Sequence, residues 1–230
     1  MLETTRIYIA DVSILKDASV FESFLKKVPE YRQKKAMSFK FDKGNMQSLG
    51  VGLLLRQACK EAGLEGADDH IAYGENGKPF FAGFPDVQFN LSHSGERVMA
   101  VISPFEVGCD VEIIKGDRGR LAERFFKPEE SAWIKSFESL PAQSEAFYRL
   151  WTLKECYMKV TGRGMSLMPD MFALSVDESE KISLYHEGER PEYAFREIDL
   201  HDGYRYAYCI KNNGKNAPQQ VNVIDLSDER

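Results

Sequence analysis

Asp110 and Glu112, in the stretch GCDVEII, are two carboxylates with one residue between them. On a strand, alternate residues share a face, so this pair points one way while Cys109, Val111 and Ile113 point the other. Their Cα atoms then lie roughly 6.6–7 Å apart, close enough for their oxygens to meet on one hard cation. Asp-x-Glu by itself is equally compatible with a solvated acidic face. A second group lies in RLWTLKECYMKVTGRGM, residues 149–165. At about 100° per residue, Tyr148, Thr152, Glu155 and Lys159 share one sector of a helix, opposite Ala146, Phe147, Leu150, Trp151, Leu153, Tyr157 and Met158. As a surface pair, Glu155 and Lys159 are worth only about 0.2–0.5 kcal/mol. Joined to Asp110 and Glu112, Glu155 offers a third oxygen ligand, in a set that suits Mg²⁺. Lys159, one turn on, then faces whatever anion the metal holds. A metal ion and a lysine are recurring equipment for stabilising charge on a transferring phosphoryl group. Lys154 falls inside the apolar sector, where an ammonium must snorkel out or be paired.

The elements that must position these groups follow from local pattern. RIYIADV alternates as a strand, helices are expected near 17–27, 29–40 and 42–63, and the last has Asp42 as its N-cap and Gly63 as its stop. YGENGKPFF is a turn by its Asn-Gly and Lys-Pro pairs. VQFNLSHS, RVMAVIS and VGCDVEII read as three strands joined by tight turns. Pairing them as successive hairpins sets His93 opposite Val98 and Val98 opposite Val111, which brings His93 to the end of the sheet that carries Asp110 and Glu112. Residues KGDRGRLAERFFKPEE read as a loop-rich start to the second half. They precede a helix from Pro128 to about Leu140 and a longer one from about Gln143 to Thr161, ended by TGRGM. FALSV, ISLYH, YAFREIDL, YRYAYCI and VNVIDL complete the strand pattern. Helices and antiparallel strands in each half give an α+β fold of two similar halves related by a pseudo-twofold. The boundary falls near Ser103, with residues 1–103 forming one half and residues 104–230 the other, which carries the acidic and lysine groups.

With 230 residues and 43% hydrophobic content, the chain is long enough for one large core or two smaller ones. A net charge of −6 argues against wholesale nucleic-acid binding. No apolar run approaches the ~20 residues of a membrane span. No secretory leader is evident, and Cys59, Cys109, Cys156 and Cys209 are too widely spaced for a disulfide framework or zinc site, so a cytoplasmic protein is expected. Lys26, Lys27, Arg32, Lys34, Lys35, Lys40 and Lys43 form a basic segment interrupted only by Glu30 and Asp42. Such a segment suits a local anionic partner, or simply a solvated helix face.

FNLSHS, VGCDVE, RFFKPEE and LWTLKECYMKVTGRGM, in this order and spacing, resemble the Sfp-type 4′-phosphopantetheinyl transferases, and QSLGVGLLLR and GKPFF upstream match the same family. The resemblance implies two similar α+β halves with coenzyme A bound between them. It further implies Mg²⁺-dependent transfer of the phosphopantetheine arm to a serine of an acyl- or peptidyl-carrier protein of fatty-acid, polyketide or nonribosomal-peptide assembly. Adenosine 3′,5′-bisphosphate is released. By the same resemblance Asp110, Glu112 and Glu155 are metal ligands, Glu155 is also the base for the carrier serine, and Lys159 steadies the pyrophosphate. Lys78, Ser92 and His93 hold the nucleotide end and its 3′-phosphate, with Lys34 the favoured basic residue of the upstream segment. Lys154 makes a supporting contact with the nucleotide or with a buried acid. Gln47 departs from the arginine common before SLG, which removes one expected phosphate contact. The paired halves favour a monomer. A non-catalytic relative that binds coenzyme A or a carrier, or a Mg²⁺-dependent phosphohydrolase, would use a similar set of groups.

Overall fold

The computed structural model describes residues 2–211 and 219–229. Strand β1 (Thr5–Asp11) leads through helices α1 (Ala18–Leu25), α2 (Glu30–Ala36) and α3 (Asp42–Glu61) to the hairpin β2 (Ile71–Tyr73) and β3 (Pro79–Phe81). Strands β4 (Gln88–Ser94), β5 (Arg97–Ser103) and β6 (Val107–Ile113) follow, then α4 (Gly119–Phe125), α5 (Pro128–Lys135) and α6 (Leu140–Thr161). The chain closes with β7 (Phe172–Val176), β8 (Ile182–His186), β9 (Tyr193–Ile198), β10 (Tyr204–Lys211) and β11 (Gln219–Ile224).

Two sheets stack between two long helices. One sheet has the order β11-β1-β5-β4 and the other β6-β10-β9. Strand alternation explains the layering. Tyr8, Ala10, Val98, Ala100 and Ile102 turn toward α3 and pack with Leu49, Leu54 and Leu55. Ile7, Ile9, Met99 and Val101 turn the other way, onto Val107, Cys109, Val111, Tyr206 and Tyr208 of the second sheet. Ala207 and Cys209 then face α6, against Phe147, Leu150, Leu153 and Cys156. Strands buried on both faces lose the polar–apolar alternation of a half-exposed sheet, as RVMAVIS and YRYAYCI show.

Several local expectations need correcting. Phe41, not Asp42, is the N-cap of α3, and Asp42 opens the first turn, where its carboxylate complements the helix dipole. The segment read as loop-rich after β6 contains α4. Helix α5 ends at Lys135, and α6 begins at Leu140, capped by Ser139, whose side chain accepts from Ala142 N. Strand β11 pairs with β1 in parallel, so one ladder is not antiparallel, and a strand from the end of the chain completes the first sheet.

The largest correction concerns β6. Strand β5 pairs with β4 and β1, and β6 pairs with β10, so the expected Val98–Val111 register does not form. His93 does stand opposite Val98. By alternation, however, it shares a row with Phe89 and Leu91 and not with Ser92 and Ser94, which face β6.

Helix α6 crosses β6 at Gly108. A Cβ there would stand 2.3 Å from Cys156 O and 2.4 Å from Val160 N, so helix and strand backbones are in direct contact. Because those neighbours are backbone atoms, no side-chain rotation relieves the clash. Gly108→Ala is expected to lower unfolding free energy by about 1–3 kcal/mol, the usual cost of overpacking, measured by urea denaturation. A midpoint equal to that of the unaltered protein would show that α6 moves away without loss.

Candidate active site

The contact at Gly108 brings the side chains of that same turn of α6 over the acidic strand. Lys159 Nζ lies 2.6 Å from Asp110 Oδ1, 3.1 Å from Ser92 Oγ and 3.1 Å from Cys109 O. Burial opposes the charge on Lys159, but Asp110, Cys109 and Glu155 outweigh it and hold the ammonium well above the ordinary lysine range. Asp110 is buried, and its second oxygen, Oδ2, has no hydrogen-bond partner among the described residues.

Glu112 and Glu155 complete the acidic group. Burial raises the Glu112 carboxyl above its usual value, and the charge of Asp110 raises it further. Glu155 is raised by burial too, with Asp110 and Glu112 adding to the shift and Lys159 opposing it. Glu112 thus feels the charge of Asp110, and Glu155 feels both. Among the described residues, no three His, Cys, Asp or Glu side chains are drawn together closely enough to hold a metal ion. Their donor chemistry nonetheless fits a hard cation, given all-oxygen ligands, mutual repulsion and one buried carboxylate oxygen without a partner.

Ser92 and Ser94 order these carboxylates. Ser92 Oγ donates to Asp110 Oδ1 at 2.7 Å, and Ser94 Oγ donates to Glu112 Oε2 at 2.7 Å. The same hydroxyls accept from Val111 N at 3.3 Å and Ile113 N at 3.2 Å, while Asn90 Oδ1 accepts from Cys109 N at 2.8 Å. Strands β4 and β6 are thus joined by three side-chain rungs.

A cleft of about 510 Å³ opens beside this group. Asn76, Lys78 and Pro79 border it from the β2–β3 hairpin, Asn90 and Leu91 from β4, and Trp151, Glu155, Met158 and Lys159 from α6. Met165 and Met168, just past the α6 terminus, close another side. Lys78 Nζ donates to Val107 O at 3.2 Å and to Val160 O at 2.9 Å, tying the hairpin to both β6 and α6. Burial lowers the pKa of this lysine.

The basic residues divide unevenly. Lys34 is exposed and pairs with Glu30 at 2.6 Å, one turn away on the same helix. Lys35, not singled out from sequence, is the upstream lysine whose charge reaches His93. The surrounding protein and then the Lys159 charge lower the His93 pKa, although its ring reaches solvent. Arg32 is buried against α3, where a Cβ on Gly52 would come within 2.7 Å of its Cγ. An i,i+3 spacing from Arg32 to Lys35 was the available signal for a shared face. Gln47, at the position where a phosphate contact was expected to be lost, donates from Nε2 to Gly95 O at 2.9 Å and holds the β4–β5 turn.

Lys154 finds a buried acid. Its ammonium is fully buried, 2.8 Å from Glu130 Oε1, and donates to Pro169 O and Phe172 O at 2.7 and 2.8 Å. Glu130 in turn accepts from Leu174 N at 2.7 Å and Lys127 N at 2.8 Å, so the pair ties α5, α6 and β7 together. Lys154 does not border the cleft.

The stretch from just before β6 into β10, residues 106–209, matches the model of the 4′-phosphopantetheinyl transferase superfamily. A 4′-phosphopantetheinyl transferase of Bacillus subtilis is 30% identical over 181 residues, spanning 78% of this chain and 80% of the relative. The 4′-phosphopantetheinyl transferase gsp of Aneurinibacillus migulanus is 31% identical over 195 residues, 84% of this chain and 80% of its own. The 4′-phosphopantetheinyl transferase Sfp of Bacillus subtilis strain 168 is 26% identical over 208 residues, 90% and 91% of the two chains. The chain belongs to the 4′-phosphopantetheinyl transferases.

Removing one partner of the Lys154–Glu130 pair strands a buried charge, at a cost of about 3–5 kcal/mol. Lys154→Met is expected to show that loss in denaturant unfolding. The double change Lys154→Met with Glu130→Leu should recover much of it. Equal losses in the single and double variants would show that the pair's energy lies elsewhere.

Proposed function

We propose that the protein moves the phosphopantetheine arm of coenzyme A onto a serine of an acyl- or peptidyl-carrier protein, with Mg²⁺ held by Asp110, Glu112 and Glu155. The observation that carries the metal reading is Asp110. It is buried, locked at Oδ1 by Ser92 and Lys159, and without a partner at Oδ2 among the described residues, beside two further acids. A Mg²⁺ ion there would neutralise the pyrophosphate of coenzyme A and polarise the phosphorus under attack.

Glu155 accepts the proton of the carrier serine from its place on α6 at the border of the cleft. The serine oxygen forms a new bond to the phosphorus next to the pantetheine arm. The bond to the adenosine bisphosphate oxygen breaks. Lys159, kept charged by its acidic neighbours, offsets the negative charge that the leaving phosphate gains. In this reading Lys78, which borders the cleft, and the exposed His93 attend the nucleotide end, with Lys35 supplying the upstream positive charge in place of the outward-facing Lys34, while the Ser92 hydroxyl is committed to Asp110 and Lys159.

The reading extends to a monomer, because one chain supplies both walls of the cleft. It extends to a cytoplasmic setting, supported by four buried cysteines with free thiols. The net charge of −6 supports the absence of a nucleic-acid partner. No helix among the described residues is long and apolar enough to cross a membrane.

Incubation of an apo carrier protein with this protein, coenzyme A and Mg²⁺ should add one phosphopantetheine arm to the carrier's intact mass, and EDTA should abolish the gain. An unchanged mass with several carriers, despite bound coenzyme A, would overturn the transfer reading in favour of a non-catalytic binder. Glu155→Gln is expected to keep the melting temperature and lose about 100-fold or more in rate. Turnover equal to that of the unaltered protein would remove Glu155 from the mechanism.

A further inference from the structure

The serines of β4 do more than fill a seam. Each hydroxyl has one proton to give and two lone pairs to receive with. Ser94 Oγ receives Ile113 N–H from the β6 backbone, so its own proton is left for Glu112 Oε2, 2.7 Å away. Ser92 Oγ receives Val111 N–H and the Lys159 ammonium, which leaves its proton for Asp110 Oδ1. In both cases a backbone amide fixes the hydroxyl, and the hydroxyl fixes the carboxylate. Asn90 makes the third rung of the same seam to Cys109 N but has no hydrogen bond to a carboxylate. The seam therefore contains its own comparison: two rungs that aim an acid and one that aims none.

We propose that Ser94 is a positioning residue for the metal. Its hydroxyl, registered by the Ile113 amide, holds Glu112 in the orientation needed to bind a divalent cation, so that a strand of the first half aims a ligand of the second. This rests on the reading of Asp110, Glu112 and Glu155 as metal ligands. Ser94 acts through Glu112 and touches neither substrate nor reacting atom. Groups that orient a metal ligand commonly change metal affinity by about 10–100-fold when removed.

The test is Mn²⁺ binding, followed by the loss of the free-ion electron paramagnetic resonance signal. The full chain is saturated with coenzyme A in the absence of a carrier, and coenzyme A alone is titrated as the reference. Ser94→Ala should weaken Mn²⁺ binding by about 10-fold or more, while coenzyme A affinity in EDTA stays at the unaltered value. Asn90→Ala removes a comparable amide partner and should lower the melting temperature with a smaller loss of metal affinity than Ser94→Ala, each variant being held at a coenzyme A concentration that saturates it. Ser94→Thr, which keeps the hydroxyl, should restore tight binding. If Ser94→Ala does not fold, Ser94→Cys, similar in size and a weaker donor, should show a loss in the same direction. Equal Mn²⁺ affinity in Ser94→Ala (or Ser94→Cys) and the unaltered protein would overturn the proposal, as would equal losses in the Asn90 and Ser94 variants. Absence of Mn²⁺ binding by the unaltered protein beyond the coenzyme A reference would instead overturn the metal reading on which the proposal stands.

Discussion

A strand edge that is buried must find acceptors for its amides, and β6 meets that demand in an unusual way. Along one edge its backbone pairs with β10. Along the other, the amides of Cys109, Val111 and Ile113 meet the side chains of Asn90, Ser92 and Ser94. Leaving such amides unpaired would cost about 1–3 kcal/mol each, so the rungs are an obligation of the fold. Direct backbone pairing would set the strands about 4.8 Å apart. Side-chain rungs hold them farther apart, and this wedge between the two sheets is where Asn90 and Leu91 border the cleft and the acids of β6 come within reach of α6.

The electrostatics of the site follow from that geometry. Three carboxylates lie in a partly buried wedge with one ammonium, Lys159, against Asp110. Burial and mutual repulsion raise Glu112 and Glu155, so the group gains from any further positive charge. The neighbouring lysine on the same helix shows the opposite solution. Lys154 and Glu155 are adjacent in sequence but about 100° apart around the helix. Lys154 turns inward and is neutralised by Glu130 and two carbonyls, whereas Glu155 turns into the cleft without a comparable partner among the described residues. One charge knits α5 to α6, and the other remains available for chemistry.

The local periodicities were legible in sequence because they depend on neighbours along the chain. Strand alternation separated Asp110 and Glu112 from Cys109 and Val111, and the helical repeat separated Glu155 and Lys159 from the apolar face. Lys154 was visible as a conflict with its own surroundings, and the structure resolves it with a buried acid. The partner of β6 was not legible. RVMAVIS and VGCDVEII are two apolar runs joined by a short turn, which is also how a hairpin reads, and β10 lies nearly a hundred residues away. Misplacing that strand gave the wrong route from His93 to the acids, although His93 does feel the charges of Lys159 and Asp110, and it hid the serine rungs, because a hydroxyl on a strand carries no sign of what stands across from it. Lys34 and Lys35 differ only in which side of a two-turn helix they occupy, and composition is blind to that distinction.

The two halves are therefore not independent modules that meet at a cleft. The acids and Lys159 come from the second half, but the hydroxyls that orient Asp110 and Glu112 come from the first. Lys78, on the hairpin of the first half, holds carbonyls of both β6 and α6, which keeps the strand and helix bearing the site in one frame. Gln47 anchors the turn after Ser94 from α3. Gly108 sets the closest approach within that frame. A side chain there would lift α6 off β6, and Lys159 reaches Asp110 because its own turn of α6 lies against the β6 backbone. The missing side chain at Gly108 is thus as much a part of the site as the charges it brings together.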